Sequence, residues 1–172
     1  GVVSQKNEDI EEPTFADINS VGTVARILRV LKMPDGNVTV ILQGKKRFEI
    51  DEMTTEEPYM KATIKEVEEK RPRKNDKEFI AIIDSVKELA ISIIEESPNI
   101  PTEATFAIKN IESHSFLINF VSSNMNLSLQ EKQDLLSINN LKDRALAALK
   151  FMNFELQKLE LKNDIQSKVR FD

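Results

Sequence analysis

Residues 68–76 read Glu-Glu-Lys-Arg-Pro-Arg-Lys-Asn-Asp and hold no side chain that could seed a core. Pro72 disfavours helix in the residue before it. The hydrophobic pattern differs on the two sides of this stretch: its period is about two before it and about 3.6 after it. A chain with both periods in separate blocks cannot be one continuous sheet or one bundle. It predicts an α+β protein: a mainly antiparallel β domain over residues 1–71, a linker over 72–76, and a helical bundle over 77–172.

In the first block, residues 24–32 and 38–43 are rich in β-branched and aliphatic side chains. They flank Met33-Pro34-Asp35-Gly36-Asn37, where Pro sets φ and Gly permits a positive one, so a hairpin is expected. Gly44 suggests a bend, followed by a separate strand over 47–53 in which Phe48 and Ile50 alternate with charged residues. A last strand is expected over 59–67, opened by Pro58 and presenting Met60, Ala62 and Ile64 on one face.

In the second block, Phe79, Ile80, Ile82, Ile83, Val86, Leu89, Ala90, Ile93 and Ile94 make a wide apolar face, which predicts a helix over 77–96 ending before Pro98. Two shorter helices are expected over 102–111 and 113–123. Ser128-Leu129-Gln130-Glu131 has the capping-box order and opens a helix reaching about Ser137. Asn140 and Asp143 start the longest helix, over 141–170. Leu141, Ala145, Leu146, Leu149, Met152, Leu156 and Leu159 recur along it at helical spacing, with no Gly or Pro.

Composition narrows the function. Among 172 residues there is no Cys, so neither a disulfide framework nor a thiolate metal site or nucleophile can be built. No apolar run reaches the roughly 18 residues of a membrane span, and the first six residues lack signal-peptide order. The expectation is a soluble cytoplasmic protein without a membrane partner. The net charge of −5 is spread over both blocks: residues 1–71 carry 11 basic and 14 acidic side chains. That balance argues against nucleic-acid binding.

Sites for chemistry are sparse. The four glycines, Gly1, Gly22, Gly36 and Gly44, are too far apart for a phosphate loop, so this chain is not expected to hydrolyse ATP. His114 is the one histidine, and Glu112 and Ser115 beside it do not share its helix face, which disfavours a triad. Ser113, Ser122, Ser123 and Ser137 fit caps and helix ends. The acidic runs at 8–12 and 54–57 lack the alternating ligands and internal Gly of a calcium loop. Lys45-Lys46-Arg47, and Arg71 with Arg73 and Lys74, could meet phosphate, but no aromatic side chains interleave with them. No catalytic, metal or cofactor residue is therefore proposed.

Several strings match a known family in order. Gly1-Val2-Val3-Ser4-Gln5-Lys6, then residues 21–27 (Val-Gly-Thr-Val-Ala-Arg-Ile), 31–37 (Leu-Lys-Met-Pro-Asp-Gly-Asn) and 40–48 (Val-Ile-Leu-Gln-Gly-Lys-Lys-Arg-Phe), resemble the amino-terminal domain of Lon-type ATP-dependent proteases. Residues 127–136, 141–144 and 159–169 are similar to the stretch where that family runs from a helical bundle into a long helix. The resemblance implies a PUA-like β domain, and a final helix that leads towards an AAA+ motor. It also implies a parent protein that is a hexameric cytoplasmic Ser-Lys protease degrading misfolded and regulatory proteins. ATP and magnesium would belong to the motor; this chain would be non-catalytic and, alone, a monomer or weak dimer.

The family usually begins with further residues that include a strand, so the β domain is expected to lack that strand and leave an edge open. The role implied is capture of unfolded or degron-bearing polypeptide. An open sheet edge or an adaptable apolar surface can do this without sequence precision. Candidate contacts are Met33, Pro34, Met53, Tyr59 and Met60, with plain core packing as the competing account of each. An RNA-binding PUA-like module and a purely structural or oligomerisation connector are the alternative roles.

Overall fold

In the computed structural model, which describes residues 1–170, the chain divides into two compact units, Gly1–Glu68 and Glu69 onward. The expected last two residues of the helical block, 171 and 172, lie outside the described residues.

The first unit is a three-stranded antiparallel sheet in the order β1 (Val21–Lys32), β2 (Val38–Thr55), β3 (Lys61–Glu66). Its hairpin turn forms as the Pro-Asp-Gly-Asn string predicts. The Met33 amide donates to the Asn37 carbonyl at 2.8 Å, and Gly36 takes a φ of +87°, a value that suits glycine. Asp35 accepts from the Asn37 backbone N–H at 3.0 Å and from its side-chain amide at 2.8 Å. Those two bonds, the backbone one first, hold its carboxyl below the ordinary value.

Two expectations need correction here. The bend at Gly44 does not end a strand: β2 runs unbroken for 18 residues. Gly44 pairs with Ala25 and Lys46 with Val24, which leaves Lys45 as the extra residue of a β-bulge. A bulge absorbs the irregularity while the ladder continues. The last strand is also shorter than 59–67. Its terminal register pair is Thr55 with Lys61, so Pro58, Tyr59 and Met60 belong to the connection before it.

Before β1, a single antiparallel bridge joins Val2 to Thr23, with N–H to O distances of 2.9 and 2.8 Å. It brings Val2 and Val3 onto Gly22. A Cβ added at Gly22 would lie 2.4 Å from the Val2 carbonyl oxygen and 2.9 Å from the Phe48 ring, so this position needs glycine for close approach. Phe48, at 3% exposure, is the buried large apolar side chain of this unit.

The second unit contains α1 (Lys77–Glu96), α2 (Ala104–Asn110), α3 (His114–Asn124), α4 (Leu129–Ser137) and α5 (Leu141–Arg170). Asp76 caps α1 by accepting from the Phe79 amide; the caps placed by the sequence are present at Ser113, which accepts from Phe116, and at Ser128, which closes a full capping box with Glu131. Asn140 accepts from the Lys142 amide at 2.9 Å to open α5. α2 and α3 start one or two residues later than expected, because the preceding residues serve as caps and turns.

α1 and α5 run side by side in the same direction. Lys142 reaches Asp76 at 3.2 Å and Glu78 at 2.6 Å at one end, and Asn163 donates to the Glu96 carbonyl at 3.1 Å at the other. Between them lies a core that includes Phe79, Ile83, Val86, Leu117, Ile118, Leu135, Ala145, Ala148 and Met152. Past Asn163, α5 continues for about 10 Å at the helical rise, and its Ile165 and Val169 are exposed. Among the described residues, no helix is long and apolar enough to cross a membrane.

Candidate functional site

The β-hairpin of the first unit carries the largest departure from ordinary burial. β3 pairs with β2 only from Phe48 onward, and the bridge from Val2 meets β1 only at Thr23. Over residues 25–32 and 38–46 the hairpin is therefore a two-stranded ribbon with both outer edges open among the described residues. Its aliphatic side chains are exposed as well: Ile27 to 62%, Val30 to 56%, and Leu28, Leu31, Val38, Val40, Ile41 and Leu42 in the same range.

The register sorts these side chains into faces. Directly opposed residues of an antiparallel pair project to the same side. Ile27 faces Leu42 and Val30 faces Val40, so one face is a ladder of aliphatic pairs extended by Val38. Arg26 faces Gln43 and Arg29 faces Ile41, which puts both arginines on the other face. Residues 21–47 contain Arg26, Arg29, Lys32, Lys45, Lys46 and Arg47 against Asp35 alone, net +5 in a chain of net −5. Lys46 is engaged by Glu66 at 2.8 Å, whereas Arg26, Arg29 and Lys32 form no ion pair among the described residues.

The five side chains singled out from the sequence are all exposed, so none is a core residue. They do not form one cluster. Met33 and Pro34 sit at the hairpin turn, while Met53, Tyr59 and Met60 lie at the opposite end of β2, up to about 50 Å away along an extended strand. Tyr59 is capped by the Lys61 ammonium, 4.7 Å from its ring centre. The hairpin aliphatics between these two ends escaped the sequence reading because alternating β-branched residues usually mark a core face. The available signal was that apolar residues occupy both parities of β1, interrupted by Arg26 and Arg29.

The second unit gathers polar groups in a different way. Arg144, at 2% exposure, donates to Glu69 through Nη2, and Ser115 Oγ donates to the same carboxylate at 2.9 Å. Burial pushes the Glu69 carboxyl up. The Ser115 hydroxyl, the charge and hydrogen bond of Arg144, and a hydrogen bond from Arg71 outweigh it and hold the group below its ordinary value. Ser115 is thus committed to Glu69, and the His114 ring lies edge-on to Phe79 with centroids 5.4 Å apart. Glu112, His114 and Ser115 form no catalytic relay. A cavity of about 270 Å³ lies beside them, lined by Arg71, Arg73, Lys74, Phe79 and His114 among others. No group of three His, Asp or Glu among the described residues is placed to hold a metal ion.

A small antiparallel sheet unit followed by a helical unit with a long last helix is the architecture of Lon amino-terminal domains. The N-terminal domain of a Lon protease from the Mycobacterium avium complex aligns over 79% of this chain and 71% of its own with a TM-score of 0.67, at 18% identity. The model of the ATP-dependent protease La (LON) substrate-binding domain matches residues 1–153, and the chain belongs to that family. Lon protease of Flavobacterium johnsoniae is 79% identical over 172 residues, all of this chain and 21% of that protein. Lon protease of Karelsulcia muelleri is 52% identical over 156 residues, 91% of this chain and 18% of that one. The chain thus spans about a fifth of the length of these curated relatives.

Proposed function

We propose that this chain captures extended polypeptide, unfolded or degron-bearing, through the exposed β1–β2 hairpin, as the substrate-binding part of an ATP-dependent Lon protease. The observation that carries the reading is the ribbon with open edges and a ladder of exposed aliphatic pairs, Ile27 with Leu42 and Val30 with Val40. Unpaired backbone N–H and C=O groups at a sheet edge accept a strand of nearly any sequence, and the aliphatic ladder rewards burial of apolar side chains. Met33 and Pro34 would lengthen this surface at the turn; Met53, Tyr59 and Met60 would offer a second contact at the far end of the sheet.

In this reading the chain contributes binding and no catalysis. ATP with magnesium, and the Ser-Lys peptidase, belong to other parts of a longer protein, which works in the cytoplasm as a homo-hexamer degrading misfolded and regulatory proteins. Alone, this chain is a monomer or weak dimer.

The test is binding of a labelled, permanently unfolded protein compared with its folded form, in the absence of ATP. The expected result is preference for the unfolded form, weakened at least fivefold by Ile27→Ser with Val40→Ser. The urea midpoint should move little, because exposed substitutions change stability by about 0.5 kcal/mol or less. Equal binding of the folded form, or indifference to the double substitution, overturns the reading.

A further inference from the structure

Resting on that reading, we infer that the outer edge of β1 selects strands in which acidic and aliphatic side chains alternate. A strand added to an antiparallel edge projects its own side chains alternately to the same two faces of the sheet. On one face the newcomer meets Ile27 and Val30; on the other it meets Arg26 and Arg29, which share that face because Leu28 is the extra residue of a β-bulge, with Leu31 beyond them. Aliphatic residues at one parity and Asp or Glu at the other satisfy both faces at once.

Charge decides between possible occupants. A second copy pairing β1 with β1 in antiparallel fashion, centred on the Arg26–Arg29 segment, would set Arg26 of each copy against Arg29 of the other, and like charges directly opposite destabilise a strand pair. Arg26 and Arg29 have no ion-pair partner among the described residues, so an incoming carboxylate displaces none. A single-stranded nucleic acid would find the cations but no platform for its bases, since residues 21–47 include no Phe, Tyr or Trp. An acidic, apolar polypeptide uses the edge, the aliphatic ladder and the arginines together.

The experiment measures fluorescence anisotropy of labelled eight-residue peptides against the whole 172-residue chain. The peptides are an alternating Glu/Val sequence, an alternating Lys/Val sequence, and a Glu/Val sequence of the same composition arranged in two blocks. The alternating acidic peptide should bind roughly fivefold to tenfold tighter than either of the others, the scale of two cross-strand ion pairs, with the margin shrinking as salt rises. Arg26→Glu with Arg29→Glu should invert the preference towards the Lys/Val peptide, and Arg26→Gln with Arg29→Gln should abolish it. Circular dichroism checks that each variant folds.

Binding of unfolded protein without discrimination among the peptides would overturn this inference and leave the capture reading standing. Failure to bind unfolded protein at all would overturn both. Displacement of the acidic peptide by a short uridine oligonucleotide at lower concentration would identify the arginine face as a nucleic-acid surface and overturn the inference as well.

Discussion

The sheet unit and the helical unit spend their apolar side chains in opposite ways. In the helical unit, aliphatic residues at helical spacing converge between α1, α3 and α5, and Val86, Leu117, Ile118 and Met152 are essentially inaccessible. In the sheet unit, aliphatic residues are as dense along the chain, yet Phe48 is the buried large one and those of the hairpin face water. A helix has one apolar stripe and needs one neighbour to cover it. A two-stranded ribbon has two faces and two edges, and a lone ribbon in water is marginal. Similar raw material therefore makes a self-sufficient core in one region and an unsatisfied surface in the other, and the second is what a polypeptide-capturing domain requires.

The most forceful way to probe this contrast is to hollow out the helical core. Leu117→Ala should lower the stability of that unit by about 2 to 5 kcal/mol, read from the urea midpoint of the helical circular dichroism signal. A loss under 1 kcal/mol would mean that the core collapses around the gap and is less tightly packed than its burial suggests. The corresponding probe of the sheet unit is Gly22→Ala, whose new Cβ would collide with the Val2 carbonyl and the Phe48 ring. It should cost about 1 to 3 kcal/mol and speed amide hydrogen exchange at the start of β1 and around Phe48. Unchanged exchange there would show that Val2 and Phe48 move aside freely, and that the unit leans even less on packing than proposed.

The smallest effect concerns pH. The carboxyl of Glu69 is held below its ordinary value of 4.5 in the folded helical unit, so its contribution is present above that pH and is lost as pH falls through the lowered value. Acid titration of the unit's urea midpoint should show this loss, and Glu69→Gln should flatten that part of the curve. The change in slope will be modest, because Glu69 is one of 29 acidic residues. An identical slope in the variant would assign the acid sensitivity to other groups, the half-buried cap carboxylates Asp76 and Glu131 first among them.

Much of the fold was legible before any coordinates. α1 follows from a 3.6-residue apolar period that ends before Pro98, and α4 from the reciprocal pairing of Ser128 with Glu131. The hairpin turn follows from Pro34, Asp35, Gly36 and Asn37. The continuity of β2 was not legible, because a glycine in a strand reads equally as a bend or as a neighbour of a bulge, and only pairing with Ala25 decides. Of the candidate site, Met33, Pro34, Met53, Tyr59 and Met60 could be named, but neither their exposure nor the length of β2 that keeps the first two apart from the other three was legible. Arg144 gave no signal: a buried arginine in a long helix looks like a solvated one until Glu69 and Ser115 are seen beside it.

What the sequence by itself determined were the local terms: which residues prefer strand or helix, where caps and turns interrupt them, and where the hydrophobic period changes. These depend on side chains within a few positions of one another. The tertiary structure decided everything that depends on distant partners. It left the aliphatic ladder of the hairpin uncovered, brought Arg144 to Glu69 from 75 residues away, and set Arg26 and Arg29 on one face at an open edge. Burial and pairing are properties of surfaces that meet, and a linear pattern specifies a surface without specifying what meets it.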